Sequence, residues 1–240
     1  MDFNFKGKTA LITGATKGIG RATAIHFASH GANVVLLDMD SAGLADAESY
    51  VNQFGVQAQF YQCDISNESR VQEVCADALQ KFGTIDILVN NAGLWNSFCE
   101  FRASSSVDWK RKIDVNILGT MYVTRSVINS MIENKWGRII NVASVSGIYG
   151  IPTMADYSMT KGAVIGFTKA LAKEVMQHGI TVNCISPGTV SNDGQPCNKC
   201  YAGRYGTYEE NADLILYLAS DHAAYISGQN YVIDGCRKLI

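Results

Sequence analysis

The feature that most constrains this chain is a sustained exchange of short, almost wholly apolar runs with longer amphipathic ones. Residues 9–13, 33–38, 59–64, 85–90, 138–143, 181–185 and 231–234 read as strands. Residues 19–30, 41–54, 68–82, 108–134, 155–178 and 208–219 read as helices. Strands that are apolar nearly throughout must be covered on both faces. Strand–helix alternation kept up to the end of the chain requires right-handed crossovers, which build a parallel, doubly wound α/β sheet. The expected fold is therefore a Rossmann-type sheet of about seven strands with helices on both faces. At 240 residues the chain fits one hydrophobic core, since single cores stop growing at about 250–300 residues. One domain is expected over 1–240, with 1–100 mainly serving a dinucleotide and 101–240 serving catalysis and substrate. The stretch 189–207, rich in Gly, Asn and Asp, is expected to form a short lid.

Composition narrows the partners. A net charge of −2 and the lack of a basic run leave nothing to neutralise nucleic-acid phosphates. No run of ~20 apolar residues is present to span a membrane. The opening Met1-Asp2-Phe3-Asn4-Phe5-Lys6 lacks the basic and apolar regions of a signal peptide, so a cytoplasmic location is expected. Seven cysteines, an odd number, then read as reduced thiols. Cys197-Asn198-Lys199-Cys200 has no two further ligands at motif spacing, so no metal site is expected. A redox-active thiol pair is the other reading of those two cysteines. Charged residues make up 18%, below the usual ~25%, which leaves surface for subunit contacts.

The first strand runs into Thr13-Gly14-Ala15-Thr16-Lys17-Gly18-Ile19-Gly20 and then a helix. Gly14 permits the tight turn, Gly18 lets backbone approach a pyrophosphate, and Gly20 lets the helix pack on the sheet. Freed N–H groups and the helix dipole then favour an anion at Thr16 to Gly20. The second strand ends at Asp38, where a carboxylate can accept both ribose hydroxyls of an adenosine and repel a 2′-phosphate. That favours NAD over NADP, with Lys17 as a mild counter-signal. Asp38 can alternatively cap the next helix. Asp64 and Ile65 follow the third strand, placed either to meet the adenine or, for Asp64, to cap a helix. Asn90-Asn91-Ala92-Gly93 ends the fourth, where small residues let backbone lie along a cofactor and an Asn ties strand ends together.

Tyr157 and Lys161 stand four residues apart within a helical stretch, so they share one face. A free tyrosine, with a pKa of about 10, is a poor base at neutral pH. A lysine ammonium beside it, together with a positive nicotinamide, favours the phenolate, which can take an alcohol proton as hydride leaves the carbon. Ser144, just past the fifth strand, faces the same crevice and can hydrogen-bond the substrate oxygen. Asn116 lies inside the long helix before it and can hold a water that links Lys161 to solvent.

Taken in order, these motifs resemble the classical short-chain dehydrogenase/reductase family over essentially the whole chain. The matching residues are Thr13 to Gly20, Asp64, Asn90 to Gly93, Asn116, Ser144, Tyr157 with Lys161, Pro187-Gly188 and Asp234-Gly235. The resemblance implies that Tyr157 is the general acid/base, that Ser144 positions the substrate oxygen, and that Lys161 binds the nicotinamide ribose and lowers the Tyr157 pKa. It implies a proton relay completed by Asn116, and cofactor contacts from Pro187, Gly188 and Val190. It also implies a homotetramer or homodimer built on the helices carrying Asn116 and Tyr157. Three departures stand out. Asn192 occupies the place of a usual threonine, the segment after Gly188 is short, and Cys236 replaces a usual second glycine.

Trp95, Phe98, Tyr149, Ile151 and Met154 are the expected pocket side chains. No arginine cluster or lysine pair is evident among the pocket segments, which disfavours a strongly anionic small substrate. The expected substrate is an apolar or amphipathic small-molecule alcohol or ketone, of hydroxysteroid, bile-acid or 3-oxoacyl type. A polyol or sugar, a catalytically weak NAD-binding regulator, and an epimerase or dehydratase are the competing readings.

Overall fold

Strand β1 (Thr9–Thr13) is buried at every position, because it lies in the middle of a sheet with a helical layer on each side. The computed structural model describes residues 3–238; the two residues at each end of the expected 1–240 domain lie outside the described residues. From β1 the chain runs through α1 (Gly18–Ser29), β2 (Asn33–Asp38), α2 (Ser41–Asn52), β3 (Ala58–Gln62), α3 (Glu68–Phe82) and β4 (Ile87–Asn90). It continues through α4 (Ser106–Ile113), α5 (Thr120–Asn134), β5 (Gly137–Val142), α6 (Ser146–Tyr149), α7 (Ala155–Val175) and β6 (Ile180–Pro187). A two-strand patch, β7 (Val190–Ser191) with β8 (Gly206–Thr207), precedes α8 (Tyr208–Ala219) and the last strand, β9 (Asn230–Ile233).

The main sheet is parallel throughout, in the order β3-β2-β1-β4-β5-β6-β9. This is the doubly wound α/β fold expected, in a single domain. Successive strand residues face opposite layers. Ile12 and Leu36 join Phe27, Ile215 and Leu216 on the face covered by α1 and α8. Leu11 and Val35 join Val71, Val123 and Met131 on the face covered by α3 and α5. The order reverses between β1 and β4, which opens a crevice beyond their carboxyl ends, the place where such sheets bind ligands.

One expectation needs correction. The helix expected over 108–134 is interrupted by a π-helical stretch, Asp114–Gly119, between α4 and α5. Such bulges concentrate at functional sites. Here the wider turn falls where the buried Asn116 amide is drawn into bonds with the Leu94 backbone (Oδ1 accepts at 2.7 Å, Nδ2 donates at 3.0 Å). Gly119 in the same stretch lies against Ile65, where an added Cβ would meet side-chain carbon at 2.7 Å. Helical periodicity continues through the insertion, so the pattern of apolar residues did not betray it.

Candidate active site

The carboxyl ends of the strands open into one cleft of about 890 Å³, within the range of ligand sites. At its near end Gly14 turns the chain out of β1 with φ +64°, and a Cβ there would lie 2.8 Å from the Ala92 Cα. A Cβ on Gly20 would lie 2.0 Å from the Gly14 carbonyl oxygen, so α1 rests directly on the loop. Helices α2, α3, α4 and α8 are capped by Asp40, Asn67, Ser105 and Thr207, whereas α1, like α5, α6 and α7, has no side-chain cap, and it carries no acid in its first turn. Its leading N–H groups are left to an outside acceptor, as a pyrophosphate requires. The residues present thus fit a dinucleotide.

Asp38 lines the cleft and is locked in place. Its Oδ2 accepts from the Thr16 amide (3.1 Å) and hydroxyl (2.8 Å), and its Oδ1 accepts from the Asp40 amide (3.1 Å). Asp64 accepts from Ser66 (2.7 Å from the hydroxyl) and from Arg111 (2.7 Å). Burial alone would raise the Asp64 pKa, but those bonds outweigh it and hold the carboxyl below its usual range. Because Asp40 and Asn67 cap the helices, neither Asp38 nor Asp64 is used as a cap. Asn91 donates to the Thr13 and Gly14 carbonyls (3.0 and 2.9 Å), tying the end of β4 to β1 at the reversal point.

At the far end, Ser144 follows β5, and Tyr157 and Lys161 stand one turn apart on α7. Ser144 Oγ accepts from the Ser146 amide (3.1 Å) and the Ser146 hydroxyl (2.9 Å). With both lone pairs occupied, its own proton is left to donate toward Tyr157 or an oxygen in the cleft. Lys161 Nζ donates to the Val142 carbonyl (2.7 Å) and lies 5.8 Å from the Tyr157 ring centre. Burial pushes Tyr157 up to about 12, opposed by its hydrogen bond to Ser144. Burial likewise pushes Lys161 down to about 8. Burial thus sets both values in the chain by itself, and the expected lowering of Tyr157 draws on a positive nicotinamide as well as on Lys161. Gly147 sets the spacing of the Ser144 turn from α7, as a Cβ there would sit 2.6 Å from the Lys161 backbone.

The family described as short chain dehydrogenase matches residues 8–197. The chain belongs to the short-chain dehydrogenases. It is thus an oxidoreductase of a family that works with a nicotinamide cofactor. A 3-oxoacyl-[acyl-carrier-protein] reductase of a Synechocystis species is 41% identical over 95% of this chain and 96% of its own length. The crystal structure of an NAD⁺-bound xylitol dehydrogenase superposes with a TM-score of 0.91 at 32% identity, covering 95% of this chain and 98% of that one. A carveol dehydrogenase from Mycobacterium avium in complex with NAD superposes at 0.92 over 98% of both chains, and at 23% identity shares the fold.

Within this short-chain dehydrogenase most of the expected site residues share the cleft, from Gly14, Lys17, Gly18 and Ile19 to Ile65, Gly93, Trp95, Met154, Pro187, Gly188 and Val190. Four do not reach its wall. Thr16 is spent on Asp38, and Gly20 stands behind Gly14. Asn116 is buried, bonded to Leu94 and to the Thr160 hydroxyl (3.0 Å). Tyr149 closes the single turn α6 and is 46% exposed. Asn192 is exposed and also off the wall, whereas Thr189 and Val190 are on it. The expectation of a pocket without paired cations is overturned, because Lys199 and Arg237 both line the cleft. Arg237 lies beyond the last strand, and only the packing of 199–202 on 235–238 brings it there. Arg111, Ser146 and Gly147 were likewise missed. The Ser144-x-Ser146 spacing was a usable signal for Ser146, and no local pattern marked the others. Cys236 adopts φ +58°, a conformation that favours glycine and explains why one is usual there. Among the described residues no cluster of His, Cys, Asp or Glu is arranged to hold a metal ion, and no helix is long and apolar enough to cross a membrane.

Proposed function

We propose that the chain interconverts a ketone and a secondary alcohol with NAD(H), with a 3-oxoacyl compound as substrate class. The observation that carries this reading is Ser144, held by Ser146 and hydrogen-bonded to the buried Tyr157. In reduction Ser144 donates a hydrogen bond to the substrate carbonyl oxygen and Tyr157 delivers the proton to it. In oxidation Tyr157 takes that proton back. A bound nicotinamide supplies the hydride for reduction and accepts it in oxidation. Lys161 uses one N–H on Val142 and keeps two, for the cofactor ribose and for stabilising charge on Tyr157. Asn116 holds the loop after β4 by its bonds to Leu94, and supports the proton path from behind.

Gly14, Gly18 and Ile19 would hold the pyrophosphate, Asp64 and Ile65 the adenine, and Asn91 to Gly93 with Pro187, Gly188 and Val190 the nicotinamide half. Asp38, its two oxygens anchored, supports NAD over NADP, and Lys17 is not ion-paired with it among the described residues. The 3-oxoacyl class is supported by the Synechocystis relative and by a wall of Trp95, Phe98, Ile151 and Met154. A polyol is the second reading, supported by the likeness to xylitol dehydrogenase at 32% identity. A homotetramer or homodimer is part of the same proposal, supported by exposed Val107, Met121 and Met159 on α4, α5 and α7. So are a cytosolic setting, which the odd cysteine count supports, and a lid over 189–207. The test is NADH and NADPH oxidation with acetoacetyl thioesters, and NAD⁺ reduction with xylitol, for wild type and Tyr157→Phe. NADH-linked reduction of the thioester, lowered about 100-fold or more in the variant, is expected. Tight NADH binding without turnover of either substrate would instead point to a cofactor-sensing regulator.

A further inference from the structure

We propose that Lys199 and Arg237 form an anion-binding subsite at the substrate end of the cleft, so that the natural substrate carries a carboxylate or phosphate besides its carbonyl. The inference deepens the oxidoreductase reading above and rests on it for the place of the reacting carbon.

The cleft's carboxylates stand at one end, Asp38 and Asp40 at the end of β2 and Asp64 after β3, together with the cations Lys17 and Arg111. Beyond β6 and β9 the cleft is lined by Lys199 and Arg237 and by no acid. Five strand steps separate β2 from β9, about 24 Å at ~4.8 Å per step. That is about three times the ~8 Å over which salt screens charges, so Asp38 does not neutralise Arg237. The pyrophosphate cradle at β1 stands four steps away, about 19 Å, which leaves Arg237 to a different anion.

Both cations are held and unspent. The Lys199 carbonyl accepts from the Lys238 amide (2.9 Å), Arg237 forms an antiparallel bridge with Cys200, and the Tyr201 amide donates to the Cys236 carbonyl (2.9 Å). These bonds clamp the two segments together at the cleft. Arg237 is half-buried, yet among the described residues neither it nor Lys199 is ion-paired with a carboxylate or makes a side-chain hydrogen bond. A half-buried guanidinium with five donors and no acceptor among the described residues is free to bind an anion that enters the cleft. Lys238, the next cation, stands over the Tyr201 ring instead (5.3 Å) and is not on the wall. Trp95, Phe98, Ile151 and Met154 line the same cleft, so the ligand is amphipathic, with an apolar body and an anionic end.

The test compares three 3-oxo substrates: ethyl acetoacetate (neutral), acetoacetate (carboxylate) and acetoacetyl-CoA (phosphates). Kinetics with NADH are measured for wild type, Arg237→Gln, Lys199→Gln, the charge-keeping Arg237→Lys, and the control Lys110→Gln, an exposed lysine off the cleft. The ratio of kcat/KM for an anionic substrate to that for the ester should fall about 10-fold in each Gln variant, and less in Arg237→Lys. A loss with acetoacetate alone identifies a carboxylate, and one with the CoA thioester alone a phosphate. An unchanged ratio, or a rise in KM for NADH in place of it, overturns the subsite. A second readout does not need turnover: malonate and free CoA should raise the melting temperature of the NADH-loaded wild type and not of the Lys199→Gln/Arg237→Gln double variant. If none of the three compounds is reduced but that shift persists, the 3-oxoacyl reading fails and the anion site stands. If neither anion produces a shift that depends on the two cations, the anion site fails.

Discussion

Replacing Asp156 by alanine would strand the Lys112 ammonium in the protein interior. The two side chains are 1% and 9% exposed, with Nζ and Oδ2 2.6 Å apart. At an effective dielectric of about 20 their attraction is about 6 kcal/mol, while burying each ion costs several kcal/mol. The intact pair is therefore worth little, but breaking it leaves an uncompensated charge and should cost about 3–5 kcal/mol. For a chain of this size that lowers the melting temperature by about 6–20 °C. Lys112→Met with Asp156→Ala removes both charges and keeps an apolar stem, so the double variant should lie within about 1 kcal/mol of wild type. Lys112→Met alone strands the Asp156 carboxylate at a similar cost, so urea unfolding of the four members of the cycle should give a coupling of at least about 5 kcal/mol. Activity reports the same contact, because Asp156 Oδ1 accepts from the Tyr157 amide (2.8 Å) and the pair ties α4 to the first turn of α7. A loss below about 1 kcal/mol in Asp156→Ala, or a double variant as unstable as the sum of the singles, would refute the reasoning.

Lys161 gives stability a pH dependence of known sign. Burial lowers it from 10.5 to about 8 when folded, so between pH 8 and 10.5 the unfolded chain holds a proton that the folded chain has released. Stability should rise with pH across that window, by up to about 3 kcal/mol from this group, and Lys161→Met should abolish the rise. Urea midpoints at pH 8 and 9.5 check this; the limb should end above pH 10, where Tyr157, raised by burial, begins to oppose it. Gly20→Ala places a Cβ 2.0 Å from the Gly14 carbonyl, so α1 must move and NADH affinity should fall at least about 10-fold. Fluorescence titration reads that loss, and an unchanged Kd would show that the loop yields at no cost. Cys236→Gly relieves a left-handed residue and should stabilise by about 0.5–1 kcal/mol after the entropy of the added glycine. A destabilised variant would mean that the Cys236 side chain contributes contacts larger than the strain.

Whatever depends on local pattern was legible in the sequence. Apolar strands with amphipathic helices between them pointed to a doubly wound sheet, because both faces of each strand need a cover. The glycines around Gly14, the terminal Asp38, and Tyr157 with Lys161 were readable for the same reason, since each is a backbone or helix-spacing requirement written within a few residues. Tertiary structure alone decided what depends on meetings between distant segments. The π-helical stretch at Asn116 answers to Leu94, 22 residues away, and the Lys112–Asp156 pair spans 44. The orientation of the Ser144 hydroxyl depends on how the chain turns after β5 to bring Ser146 back onto it. The raised pKa of Tyr157 comes from burial, which no spacing reports. Arg237 enters the cleft only because the last strand returns beside β6 and the short segment before α8 folds onto its end. Periodicity records which face of an element is apolar; which charges share a cavity is set only when the elements pack.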